Sequence, residues 1–306
     1  MSPVGIALTV GRCTAARQEM HYDGPMGTPS SMPEPEILPP GQESSASRPA
    51  ERRRPQWAAA PATYFLVGVN CLVFLAMTFG GVRLSGPTSD QLLLWGADNA
   101  GAVLLGGQWW RIVTAMFVHV GFLHLITNMW CLWNLGLLAE PLLGSLGVLA
   151  VYVLTGAAGN LLSTFVNWVE YHGQSMGMIA YGPVGAGASG AVFGIAGALI
   201  VLLKSQRLPV PPSELRKLRR SVIYFAAINL VIGFSISFGT RVIGSGLSID
   251  NMAHLGGFGS GLLFAMPVIP RLGSPRRLFT TRLRLAVGLV VGVLVLFGFF
   301  LAQLPG

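Results

Sequence analysis

Stretches of roughly twenty mostly apolar residues recur along this chain, broken by short clusters of Arg and Lys, and this pattern limits the fold more than any other feature. A hydrocarbon layer about 30 Å thick is crossed by roughly 20 helical residues, because a helix satisfies its backbone hydrogen bonds within one segment. Of the 306 residues, 52% are hydrophobic and 10% charged, with a mean hydropathy of +0.60, so lipid rather than water is the expected solvent. Seven segments qualify: 63–82, 121–139, 147–166, 189–203, 222–238, 252–269 and 285–301, the fourth being unusually short. The predicted fold class is an all-α polytopic membrane protein of seven spans.

Orientation follows from the basic clusters. Arg48, Arg52, Arg53 and Arg54 precede the first span; Lys204, Arg207, Arg216, Lys217, Arg219 and Arg220 lie between the fourth and fifth; Arg271, Arg276, Arg277, Arg282 and Arg284 lie between the sixth and seventh. All three share one side only when the N-terminus is cytoplasmic and the C-terminus outside. The formal charge of +8 is thus a topology signal, and no nucleic-acid partner is expected. Residues 1–58, rich in Pro, Ser, Gly, Glu and Arg, read as a disordered cytoplasmic arm. Residues 59–270 form the six-helix body, and 271–306 a basic cytoplasmic linker with the seventh span. Cys13, Cys71 and Cys131 make no disulfide framework, and there is no HExxH motif, so neither metal nor cofactor is expected.

Ser189, His254, His124 and Asn128 stand where polarity is costly in lipid. Counting helical rise from Lys204, Arg271 and Glu140 puts Ser189 about 22 Å, His254 about 25 Å and His124 about 24 Å above the cytoplasmic end. Asn128, one turn below His124, shares its face. The four converge at one depth, below the outer surface and above the midplane.

A serine hydroxyl needs a base to take its proton, and His254 lies at the matching depth. Donors for the developing oxyanion are the Ser189 backbone amide at a helix start and the side chains of His124 and Asn128. Asp250 is directed to the outer edge and is assigned no role. Gly187 and Gly190 flank the nucleophile with small residues, while Gly257 and Gly261 after His254 allow its helix to approach the fourth closely. Taken singly, each feature has a plainer reading. Membrane serines commonly bond their own backbone, GxxxG faces are commonly packing alone, Asn70, Asn160 and Asn229 suit interhelical hydrogen bonds, and His119 suits the interface. Convergence at one depth is what favours a site.

Gly187-Ala188-Ser189-Gly190, His124 four residues before Asn128, and Ala253-His254 with Gly257 and Gly261 together make residues 61–269 resemble the rhomboid family of intramembrane serine proteases. Trp110-Arg111, in the outer segment 83–120, is similar to that family's Trp-Arg motif. The resemblance implies a six-helix core with one added C-terminal helix, cleavage of single-pass membrane proteins, and a bacterial plasma-membrane location with the site opening outward. It also implies a gate made by the fifth helix and the segment before the sixth, including Gly239–Gly246. Phe193 stands where several members carry a Tyr that stacks on the catalytic His; stacking is expected to persist without the hydroxyl. The rival readings are a catalytically silent rhomboid-like protein that binds membrane clients, and a transporter, against which no inverted repeat or intramembrane carboxylate pair is found.

Overall fold

The computed structural model describes residues 60–171, 182–205, 208, 210–243, 249–269 and 274–304. The arm 1–58, most of the loop before Ser189, and Arg271 lie outside the described residues. Helices follow where the apolar runs lie: α1 (Pro61–Phe79), α2 (Ser89–Leu94), α3 (Ala100–Leu104), α4 (Arg111–Thr114), α5 (Phe122–Tyr171), α6 (Ser189–Leu202), α7 (Pro212–Ile243), α8 (Asn251–Ala265) and α9 (Arg276–Ala302). Only isolated bridges, Ser85 with Gly121 and Asp98 with Gly185, interrupt this helical pattern among the described residues.

Two expectations shift. The spans predicted at 121–139 and 147–166 are not parted by a loop: they meet at Gly144, whose φ of 72° and ψ of 166° break α5 within a single residue. Glycine alone takes that conformation cheaply, so no longer connection is needed. The basic stretches before the fifth and last spans, predicted at 222–238 and 285–301, are themselves helical, so these helices run from Pro212 to Ile243 and from Arg276 to Ala302.

Pro61–Phe79, Phe122–Glu170, Pro212–Ser235 and Arg276–Ala302 are each long and apolar enough to cross a membrane. The second would extend about 70 Å unbroken, more than twice the hydrocarbon thickness, so its break at Gly144 is what allows it to fit. With 14 residues, α6 falls short of a full span, and eleven of them are buried. A helix apolar on every side is stable when protein surrounds it, and α6 occupies that central position. By contrast Val231, Leu296 and Phe299, on α7 and α9, are 65%, 72% and 67% exposed, which suits faces turned to lipid. This is a helical integral membrane protein.

Glycines set the central packing. A Cβ on Gly257 would collide with the Gly190 carbonyl oxygen, one on Gly261 with that of Gly194, and one on Gly197 with that of Phe258. Thus α6 and α8 meet backbone to backbone. On its other side Gly194 leaves room for the Thr155 side chain of α5. In lipid, where apolar burial gives no net drive between helices, such close van der Waals contact is a main source of association.

The second anchor is polar. Nothing from Ala60 caps α1, but Glu140 on α5 accepts from the backbone amides of Ala62 and Thr63, both at 2.9 Å, and from Thr63 Oγ1 at 2.7 Å. Ser145 Oγ adds a fourth bond at 2.6 Å. A buried carboxylate is therefore satisfied by the otherwise orphaned N-terminal donors of another helix.

Two variants test these anchors. Gly257→Val is expected to prevent stable assembly of α6 with α8, read as loss of a cooperative thermal transition in detergent. Glu140→Gln keeps the shape but weakens charge-assisted bonds worth about 1.5–3 kcal/mol each; it should lower the melting temperature clearly while leaving the protein folded.

Candidate active site

The chain enters α6 through Gly187, whose φ of 133° belongs to glycine, and whose amide donates to the Ala115 carbonyl at 3.0 Å. A Cβ there would also come within 2.6 Å of His124 Cε1 and 3.1 Å of His124 Nε2. Gly187 is therefore fixed twice, by conformation and by the ring it admits. Ser189 is the first residue of α6 and half-buried, and no side chain caps this helix. The first helical bond is donated by Val192 to the Ala188 carbonyl at 3.0 Å. The N–H groups ahead of it have no place in the helical ladder, and they stand at the positive end of the helix dipole.

His254 is 7% exposed and lies on α8 beside Ala253, whose carbonyl oxygen is 3.3 Å from the position of a Gly190 Cβ. Ser189 and His254 thus each adjoin a residue of the same tight contact. Phe193, one turn after Ser189, stacks on the imidazole with ring centroids 4.4 Å apart and planes 17° apart. The expected stack is present with a phenyl ring. Among the described residues the Ser189 hydroxyl and the His254 ring share no hydrogen bond, and His254 Nδ1 is buried without a partner. Catalytic bonds commonly tighten only when substrate is present.

Asp250, given no role from the sequence, caps α8: Oδ1 accepts from the Ala253 amide at 2.9 Å, and Oδ2 from Ser163 Oγ of α5 at 2.6 Å. Its carboxylate is turned inward rather than to the outer edge, because the first turn of α8 supplies the donors it needs.

On α5, His124 stands against Gly187, whereas the Asn128 side-chain amide donates to the His124 carbonyl at 2.9 Å. One of its two hydrogens is thereby spent on its own helix. His119, expected at the interface, is fully buried instead, with its ring centroid 5.4 Å from that of His124 and Nδ1 donating to the Phe117 carbonyl at 3.3 Å. Burial, and then the neighbouring His124, hold His119 down to about 3, so it stays neutral near physiological pH. Its place five residues before His124 was visible in the sequence; its burial depends on the folding of the outer segment.

That segment also carries Trp110 and Arg111. Arg111 Nη1 donates to the carbonyls of Leu93 at 2.6 Å and Ala97 at 2.8 Å, and Nε to Gln108 Oε1 at 2.6 Å, while Trp110 remains 52% exposed. Arg111 ties the short helices together, and the indole suits the lipid interface. Of the interhelical asparagines, Asn70 bonds Tyr152 and Asn160 the Ile112 carbonyl, but Asn229 bonds Phe225 of its own helix.

Residues 106–271 match the Rhomboid domain family. The chain is 30% identical over 235 residues to rhomboid protease GluP of Bacillus subtilis (strain 168), covering 76% of this chain and 39% of that protein. It is 29% identical over 215 residues to rhomboid protease AarA of Providencia stuartii, covering 69% and 73% respectively. Similarity extends to RHOMBOID-like protein 1 of Arabidopsis thaliana, at 30% identity over 62% of this chain and 43% of that one. Two of these three relatives are thus matched over less than half their length. With a family match spanning the whole arrangement of α5, α6 and α8, the chain belongs to the rhomboid family.

Proposed function

We propose that this chain is an intramembrane serine endopeptidase, cutting peptide bonds in or near the transmembrane segments of other membrane proteins, single-pass ones in particular. The observation that carries the reading is the uncapped start of α6 at Ser189, set against the α8 contact that holds His254 on Phe193. Relatives named as proteases support it.

In this reading His254 takes the hydroxyl proton as Ser189 Oγ attacks the substrate carbonyl carbon. The carbonyl oxygen becomes an anion, stabilised by the Ser189 amide, by His124 and by the remaining amide hydrogen of Asn128. Collapse breaks the C–N bond, His254 returns the proton to the leaving amine, and an acyl ester stays on Ser189. Water, deprotonated by His254, then releases the second product. Asp250 has both oxygens engaged by Ala253 and Ser163, so the reaction is assigned to a Ser–His dyad.

The reading extends to topology. The N-terminus is cytoplasmic, the site opens to the outer side, residues 59–270 are the catalytic body, and 271–306 an addition. The sparsely packed α7, with the segment before α8, is the side by which a substrate helix enters; residues 244–248 of that segment lie outside the described residues. Cross-linking α7 to α5 should block cleavage of a membrane substrate.

Wild type and Ser189→Ala, purified in mild detergent, are to be compared on a single-pass substrate with a helix-destabilised outer segment. Cleavage is expected only with wild type, together with fluorophosphonate labelling of Ser189. His124→Ala should lower kcat by about 100-fold, the usual effect of removing one oxyanion donor. A folded wild type that neither cuts nor labels would transfer the assignment to a client-binding protein.

A further inference from the structure

Beyond the dyad, two acidic side chains, one buried and one half-buried, lie where the two halves of the site come together. Asp98 lies in the outer segment between α2 and α3, is 3% exposed, and pairs its backbone with Gly185: its amide donates to the Gly185 carbonyl at 2.8 Å, and the Gly185 amide returns a bond at 2.9 Å. Asn99 adds bonds from its side-chain amide to the carbonyls of Gly182 at 3.2 Å and Pro183 at 3.3 Å. Together these residues hold the strand of chain that reaches Ser189 four residues later.

Asp250 does the equivalent for His254. It caps α8, and its carbonyl accepts the His254 amide at 3.2 Å. The two carboxylates converge on Gly185: the position of a Cβ on that glycine is 3.3 Å from Asp250 Oδ2 and 3.9 Å from Asp98 Oδ2. Consecutive residues of α5 hold them from below, Thr164 Oγ1 bonding Asp98 Oδ2 at 2.9 Å and Ser163 Oγ bonding Asp250 Oδ2 at 2.6 Å. Asp98 Oδ1 is buried with no partner.

We propose that Asp98 and Asp250 are a coupled pair of positioning residues which keep the Ser189 loop and the His254 helix in register while Asp98 is protonated, and which loosen that register once both are ionised. This rests on the protease reading for its catalytic consequence, though not for the pair itself.

Other charges near the pair do not neutralise it. From the outer segment the Arg111 charge opposes ionisation cost only weakly: its Nε and Nη1 donate to Gln108, Leu93 and Ala97, and no ion pair joins it to Asp98 among the described residues. The α5 face offers hydroxyls, the described residues 182–188 carry no titratable side chain, and on α8 the other titratable group is His254 itself. A buried negative charge on Asp98, with one free oxygen and the half-buried Asp250 charge beside it, would therefore be costly.

Burial, helped by the charge of Asp250 and opposed by the Thr164 hydroxyl, pushes the Asp98 carboxyl up to about 7. Asp250 is raised as well, by burial. Because the folded value of Asp98 exceeds its unfolded value near 3.9, stability from this group is full below about pH 4, declines as pH rises towards 7, and is flat above. Within the folded protein the active arrangement is lost as pH passes through 7.

The experiment compares wild type, Asp98→Asn and Asp250→Asn in detergent, by melting temperature from pH 4.5 to 8.5 and by cleavage of the single-pass substrate from pH 6 to 8.5. Asn mimics a protonated Asp98. The melting temperature of Asp98→Asn relative to wild type should rise up to about pH 7 and then level. Wild-type kcat/KM, normalised to its own value at pH 6, should fall several-fold by pH 8.5; Asp98→Asn and Asp250→Asn should each lose that fall, since neither variant can carry both charges. A melting-temperature difference that is constant with pH, or superimposable pH profiles, overturns the proposal. If the melting difference follows pH as described but no variant cleaves, the pair stands and the protease reading fails.

Discussion

Everything in the centre of this protein depends on two backbones touching with no side chain between them. Gly190 against Gly257, and Gly194 against Gly261, bring α6 and α8 closer than any other residue type would permit. The serine and histidine sit on residues adjoining that contact, so their separation is set by main-chain geometry rather than by side-chain rotamers. A site that must hold a hydroxyl and an imidazole within reach of each other gains from this, since main chain in packed helices has few alternatives.

The polar groups obey a consistent rule. Two carboxylates inside the fold are met by donors that helices leave unused, Glu140 by the first turn of α1 and Asp250 by the first turn of α8, whereas Asp98 takes the Thr164 hydroxyl instead. Arg111 reverses the sign, donating to the carbonyl of Leu93 in the last turn of α2 and to that of Ala97 just beyond it. Helix ends, which in water would be solvated, are paired with one another here because lipid offers them nothing. The start of α6 departs from the rule and keeps its amides uncapped.

Much of this could be read from the sequence, for physical reasons. Hydropathy places helices because the lipid core imposes length and apolarity together, and helical rise alone puts Ser189, His254 and His124 at one level. The missed features were those that depend on pairing between distant segments. From the sequence Glu140 reads only as the end of a span, yet it caps α1, and nothing local shows that Asp98 will lie beside residues 164, 185 and 250. His119 was misplaced for the same reason. A Gly–Ala–Asp–Asn–Ala–Gly stretch does carry a hint, since Asx residues among small ones often cap helices, as Asn99 caps α3.

The Glu140 bonds reach across 78 and 77 residues of chain to the start of α1. During synthesis, α1 must therefore emerge and enter the bilayer with its leading amides unsatisfied, until the first half of α5 has been made and its end brought back to the same face of the membrane. A helix made early is then locked late. Nascent chains arrested before residue 140 should hold α1 only provisionally, giving the insertion machinery an interval in which its position in the membrane can still be corrected.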